Sequence, residues 1–132
     1  MQVNTLQTIQ GFGRLSLLVV CTIAAWSDWQ SRRIPNPLIL AGLTAAVLLA
    51  FAECIVQGSW RALINRLPAG VLFMLLHWFL YYCGQMGAGD VKLALVIGLL
   101  LGWQQWTVYL SYYGLVLSSF SIYLIVRLRK FR

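Results

Sequence analysis

The chain has 132 residues, 61% of them hydrophobic and only 10% charged, with a mean hydropathy of +0.78. That composition excludes an ordinary soluble domain. The formal net charge of +7 does not call for nucleic acid, because basic residues flanking membrane spans and attracting anionic lipid account for it. The expected fold is all-α, a polytopic transmembrane helix bundle forming a single integral-membrane domain over residues 1–132.

A helix needs roughly 20 apolar residues to cross a hydrocarbon core of about 30 Å. Five stretches approach that requirement: Leu15 to Gln30, Pro37 to Val56, Leu67 to Cys83, Gly89 to Leu101, and Trp106 to Val126. The fourth is short unless its helix begins within the glycine motif at its start, so four spans plus a re-entrant piece is the alternative. In the first, RLSLLVVCTIAA resembles the basic and apolar parts of a secretory leader, but its arginine comes late, and the segment is expected to be retained. Between the first two stretches, each proline of IPNP pushes the residue before it towards extended geometry, so Ile34 and Asn36 are expected outside helices. Pro37 suits the first position of the second helix, with Asn36 capping its free amides. The result is a short, stiff connection.

With the N-terminus outside, the cytoplasmic segments hold Arg32, Arg33, Lys92, Arg127, Arg129, Lys130 and Arg132, against Arg14, Arg61 and Arg66 outside. The positive-inside rule therefore favours an external N-terminus and a cytoplasmic C-terminus. Trp103 and Trp106 at the outer turn, and Tyr81 and Tyr82 at the inner end of the third stretch, read as interfacial belts. Cys21, Cys54 and Cys83 lie far apart in the sequence and form no CxxC pair, so membrane packing is expected of them rather than metal binding. His77, the one histidine, sits among apolar residues and is assigned a polar packing or interhelical hydrogen-bonding role.

Only Asp28, Glu53 and Asp90 are acidic, so each carboxylate can be weighed individually. On this topology Asp28 ends the first span and Asp90 starts the fourth, both near the cytoplasmic face, with Glu53 at the opposite face as an interfacial acid. Ionisable groups at membrane depth are expensive and usually face the protein or a water-filled cavity. An acid near a helix N-terminus, like Asp90, is favoured by the macrodipole, whereas one at a C-terminus, like Asp28, opposes it and needs another reason to be there. Two carboxylates brought together at the margin of low dielectric tend to share a proton, one serving as base and the other as acid. Such a pair can activate water against a peptide carbonyl and protonate the leaving amine without a metal, cofactor or covalent nucleophile. Gly87 and Gly89 permit close approach of a substrate backbone. Lys92, two residues after Asp90, should lie on a different helix face, as an inner-face anchor or a contact for substrate.

D-x-x-x-R-x-I-P-N from Asp28 to Asn36 and G-x-G-D-x-K from Gly87 to Lys92 together resemble the paired motifs of the type IV prepilin peptidases, aspartyl membrane proteases of the GxGD kind. The resemblance covers roughly residues 15 to 126. It implies that Asp28 and Asp90 are the catalytic pair, and that Gly87, Gly89, Lys92, Arg32, Pro35 and Asn36 shape the substrate site. It also implies prepilin or pseudopilin substrates cut at the cytoplasmic face of a bacterial inner membrane, alongside pilus or secretion assembly components. About fourteen residues precede the first span and no cysteine pair occurs, so the chain is similar to the short, peptidase-only members, and methyltransferase activity is not expected. The rival readings are a small proton- or cation-coupled transporter, whose acids should lie nearer the bilayer midplane, and a non-catalytic assembly subunit.

Overall fold

A computed structural model describes residues 2–31, 33–84 and 86–129. Five α-helices follow one another: α1 (Gln2–Ser31), α2 (Asn36–Gln57), α3 (Arg61–Tyr82), α4 (Ala88–Leu101) and α5 (Trp103–Arg129). Among the described residues there is no β-strand. By length and composition α1, α2 and α3 are each able to cross a membrane.

α4 is the hub. Although its 14 residues rise only about 21 Å, among the described residues it alone packs against all four other helices. A helix shorter than the hydrocarbon thickness is tolerated when neighbours surround it, because no unpaired backbone then faces lipid. One core cluster joins Val20 of α1 and Ala46 of α2 to Val96, Leu99 and Leu100 of α4. A second joins Phe73 of α3 to Ala94 and Ile97 of α4, with Tyr109 and Leu110 of α5 packed on it.

Beside the large residues of these two clusters, small residues fill much of the interior, and many large apolar ones face outward. Ala24, Ala46, Ala50, Ala62, Ala69 and Ala94 are buried, while Leu18, Trp26, Leu48, Ile55 and Phe79 are exposed. This is the pattern of helices held by close packing rather than by flight from water. The largest interface, between α3 and α4, is its extreme case. A Cβ built on Gly98 would lie 2.7 Å from the Gly70 Cα and 2.8 Å from the Ala69 carbonyl oxygen, so only glycine lets these backbones approach so closely.

The links are short. Gly58 ends α2 in left-handed geometry with φ 60°, and Ser59 N–H returns to the Cys54 carbonyl, satisfying carbonyls the helix end would leave free. Gly102, with φ 71°, is the single residue between α4 and α5, a reversal whose left-handed backbone favours glycine.

The sequence placed α1 too late: the helix starts at Gln2 rather than near Leu15, because hydropathy marks the lipid-facing part and not the polar turns that extend it. α3 likewise starts at Arg61 and carries Pro68 within it. The cap of α2 is also corrected. Pro35 holds the N-cap position and Asn36 is the first helical residue, with no side-chain capping bond. Pro37 therefore occupies the second helical position. Ile34 is non-helical as expected.

Candidate active site

The C-terminal end of α1 and the N-terminal end of α4 meet at one end of the bundle. There an open cleft of about 280 Å³ is lined by Asp28, Arg33, Ile34, Asn36, Gly87, Ala88, Gly89, Asp90 and Lys92. The two aspartates, 62 positions apart in the chain, thus share one cavity.

Asp90 is fixed by its own helix. Its Oδ2 accepts a hydrogen bond from Gly87 N–H at 3.1 Å, and its backbone N–H donates to the Gly87 carbonyl at 3.1 Å. The carboxylate thereby satisfies a free amide at the N-terminus of α4, where the macrodipole favours negative charge. Oδ1 accepts no hydrogen bond from the described residues and remains available for chemistry. Asp28 is exposed near the last turn of α1, and among the described residues nothing donates to its carboxylate.

The connection after Asp28 is held by two serines of α1. Ser27 Oγ donates to the Arg33 carbonyl at 2.9 Å, and Ser31 Oγ, which donates to the Ser27 carbonyl at 2.8 Å, lies 3.3 Å from the same Arg33 oxygen. Ile34 then reaches over Gly89, where an added Cβ would sit 3.3 Å from the Ile34 Cβ. Gly89 therefore serves contact between the connection and α4 while also lining the cleft. Gly87 stays exposed; an added Cβ there would stand 3.4 Å from Asp90 Oδ2. Both glycines have negative φ or helical geometry, so close approach, not left-handed backbone, explains them.

Other expected site residues divide. Lys92 and Asn36 line the cleft and bind one another, Lys92 Nζ donating to Asn36 Oδ1 at 3.3 Å. Asn36 thus spends its side chain on α4 rather than on capping α2. Lys92 shares the cleft with Asp90 despite the two-residue spacing, because the cavity wraps the end of α4 instead of one side of it. Pro35 is not in the lining; its carbonyl accepts from Leu38 and Ile39 N–H at the start of α2. Arg32 lies outside the described residues. The neighbouring Arg33 and Ile34 line the cleft instead, and the motif containing them was the signal for both.

The third acid behaves differently. Glu53 was expected as an interfacial acid and Arg66 as a charge outside the spans, yet both are buried, 5% and 6% exposed. Arg66 grips Glu53 with two parallel hydrogen bonds, Nε to Oε2 at 3.0 Å and Nη2 to Oε1 at 2.7 Å. Its Nη1 donates to the carbonyls of Leu99 and Leu100, each at 2.8 Å. An unpaired charge inside a bundle is expensive, so pairing accompanies burial. The guanidinium also satisfies free carbonyls at the C-terminal end of α4. A signal existed in the sequence: the two residues lie at matching distances on either side of the α2–α3 turn, which brings opposite charges to one level.

His77 is buried as expected, but its hydrogen bond is local. Nδ1 approaches the Phe73 carbonyl at 2.9 Å, a contact in which the ring nitrogen must donate, since a carbonyl only accepts. Its interhelical contact is with an aromatic ring, Tyr113 of α5, at 5.5 Å between centroids. The three cysteines are free.

A model of the type IV leader peptidase family matches residues 15–127, spanning all the cleft residues. The chain belongs to that family. Membership implies a peptidase, a hydrolase of peptide bonds, and the long apolar helices are those of a membrane protein. No curated protein and no solved structure matched the chain. Within the family's matched region the cleft brings together two carboxylates, one anchored and one open to solvent, flanked by the cations Arg33 and Lys92. Two carboxyl groups sharing a cavity can hold one proton between them, so that one takes a proton from attacking water while the other gives one to the carbonyl oxygen.

Proposed function

We propose that this peptidase is of the aspartic type, with Asp28 and Asp90 as the catalytic pair, and that it removes the short basic leader from type IV prepilin or pseudopilin precursors. The observation that carries this reading is that both aspartates line one open cleft, while the remaining acid, Glu53, is sealed in an ion pair elsewhere. In this reading the chain crosses a bacterial inner membrane five times, N-terminus outside, which brings the cleft to the cytoplasmic face. A prepilin presents its leader there, just ahead of an apolar helix able to lie among the spans. The peptide bond enters beside Gly87, and the water between the two carboxylates gives a proton to the base as it attacks the carbonyl carbon while the acid protonates the carbonyl oxygen. The tetrahedral intermediate collapses as the proton taken from water passes to the leaving amine. Lys92 and Asn36 line the approach and hold the backbone of the substrate. No cofactor takes part.

Co-expression of candidate prepilins with the native chain, Asp28→Asn and Asp90→Asn tests the proposal, with leader removal followed by gel mobility. Processing by the native chain and by neither variant is expected. Processing that survives either substitution overturns the pair, and ion-dependent flux in liposomes without cleavage would make the protein a transporter.

A further inference from the structure

Four rings join α3 to α5: Phe73 and Tyr109 at 5.1 Å, His77 and Tyr113 at 5.5 Å, and Tyr109 and Tyr113 at 6.0 Å between centroids, with Phe73 and His77 at 6.2 Å along α3. The cluster fixes the ring of Tyr113, yet the Tyr113 hydroxyl is buried and has no hydrogen-bond partner among the described residues. Buried tyrosine hydroxyls ordinarily find one, and leaving one unmet is a standing penalty.

Its position indicates the missing partner. α4 and α5 meet at the one-residue turn Gly102 and pack against each other. Asp90 lies 12 residues before that turn and Tyr113 lies 11 after it, which at the helical rise places them about 18 and about 17 Å from it. They therefore stand at the same level of adjoining helices, and the Asp90 carboxylate is close enough to act electrostatically on the hydroxyl. Asp90 Oδ1 in turn accepts no hydrogen bond from the described residues, Gly87 N–H going to Oδ2.

We propose that Tyr113 is a positioning residue for Asp90: on closure of the site around substrate, its hydroxyl donates a hydrogen bond to the free carboxylate oxygen and holds Asp90 in the charged form that acts as base. The inference rests on the aspartic reading above. It assigns the roles within the pair, Asp90 the base and Asp28 the acid. The other ionisable groups around Asp90 are Asp28 from α1, Arg33 from the connection, Lys92 on α4 itself and His77 from α3 beside the Tyr113 ring, while α2 presents the uncharged Asn36.

The test is Tyr113→Phe, which removes one oxygen and keeps the ring, with Tyr109→Phe as a control that deletes a hydroxyl from the same aromatic cluster. Prepilin cleavage by the purified full chain is measured against pH, with melting temperature recorded for each protein. A donor to a carboxylate favours its charged form, so without that donor a higher pH is needed to reach the active state. The acidic limb of kcat for Tyr113→Phe should move up by about one pH unit, a tenfold loss on that limb and little change on the plateau. Tyr109→Phe should leave the limb in place. An unmoved limb, a uniform loss at every pH, or an equal shift in both variants overturns the inference while the aspartic reading stands. A native chain that cleaves no leader at any pH removes both. Infrared spectroscopy at the carboxyl stretch, in complex with an uncleaved prepilin analogue, reads the same bond without turnover: the Asp90 band should differ between native and Tyr113→Phe proteins, and an identical band counts against the bond.

Discussion

The two ends of α4 treat charge in opposite ways. At its N-terminal end an aspartate takes one hydrogen bond from its own helix and keeps an oxygen free, facing a cleft that holds a second, exposed aspartate. At its C-terminal end a glutamate of α2 is closed off by Arg66, whose remaining nitrogen ties down two carbonyls of α4. The acid that serves structure is saturated with partners, whereas the two proposed for chemistry are left with capacity. The contrast also separates what substitution at each end should do: activity without stability at the cleft, stability before activity at the clamp.

The largest expected effect is at the cleft. Asp90→Asn or Asp28→Asn should lower the cleavage rate by about 10²–10⁴-fold, the range of a lost acid or base. The melting temperature of Asp28→Asn should stay near native, because the exposed residue has no partner to lose among the described residues. Equal losses of rate and stability would erase the distinction between the two ends.

At the clamp, Arg66→Met leaves Glu53 buried and unpaired and frees the α4 carbonyls, which should cost about 3–5 kcal/mol. Chemical or thermal unfolding in detergent measures it, and Glu53→Gln should do less harm because the Arg66 cation it leaves without a counter-ion still donates to the Leu99 and Leu100 carbonyls. A near-native Arg66→Met would mean that the pair is wetter than its burial shows.

Between the ends, Gly98→Ala forces a methyl against Gly70 and Ala69 and should destabilise by about 1–3 kcal/mol as α3 and α4 are pushed apart. A smaller loss would show that the two helices can part at little cost. The smallest effect is expected from Lys92→Met. The exposed contact with Asn36 is worth little to stability, so KM should change by no more than about fivefold, with melting unaffected. A collapse of kcat there would move Lys92 into the chemistry.

Much of this was legible in the sequence because the decisive residues are few. With three acids in the chain, Asp28 and Asp90 stood out, and the helical character of every stretch followed from apolar runs and turn residues. What was missed is non-local. Asn36 obeys the local rule for a helix cap, but a lysine 56 positions away takes its side chain. Gly89 lines the cleft, but its contact with Ile34 depends on a residue 55 positions away. Arg66 counts as a topology charge until the α2–α3 turn brings Glu53 to the same level. The early start of α1 escaped because the polar residues before Leu15 carry no membrane signal, though they continue the helix.

The most direct measurement is leader cleavage by purified protein carrying Asp28→Asn, Asp90→Asn and both together. If the carboxylates work as one unit, each single substitution removes nearly all turnover and the double variant is hardly slower than either. Independent, multiplying losses, or turnover that persists in either single variant, would contradict a shared proton and the mechanism built on it.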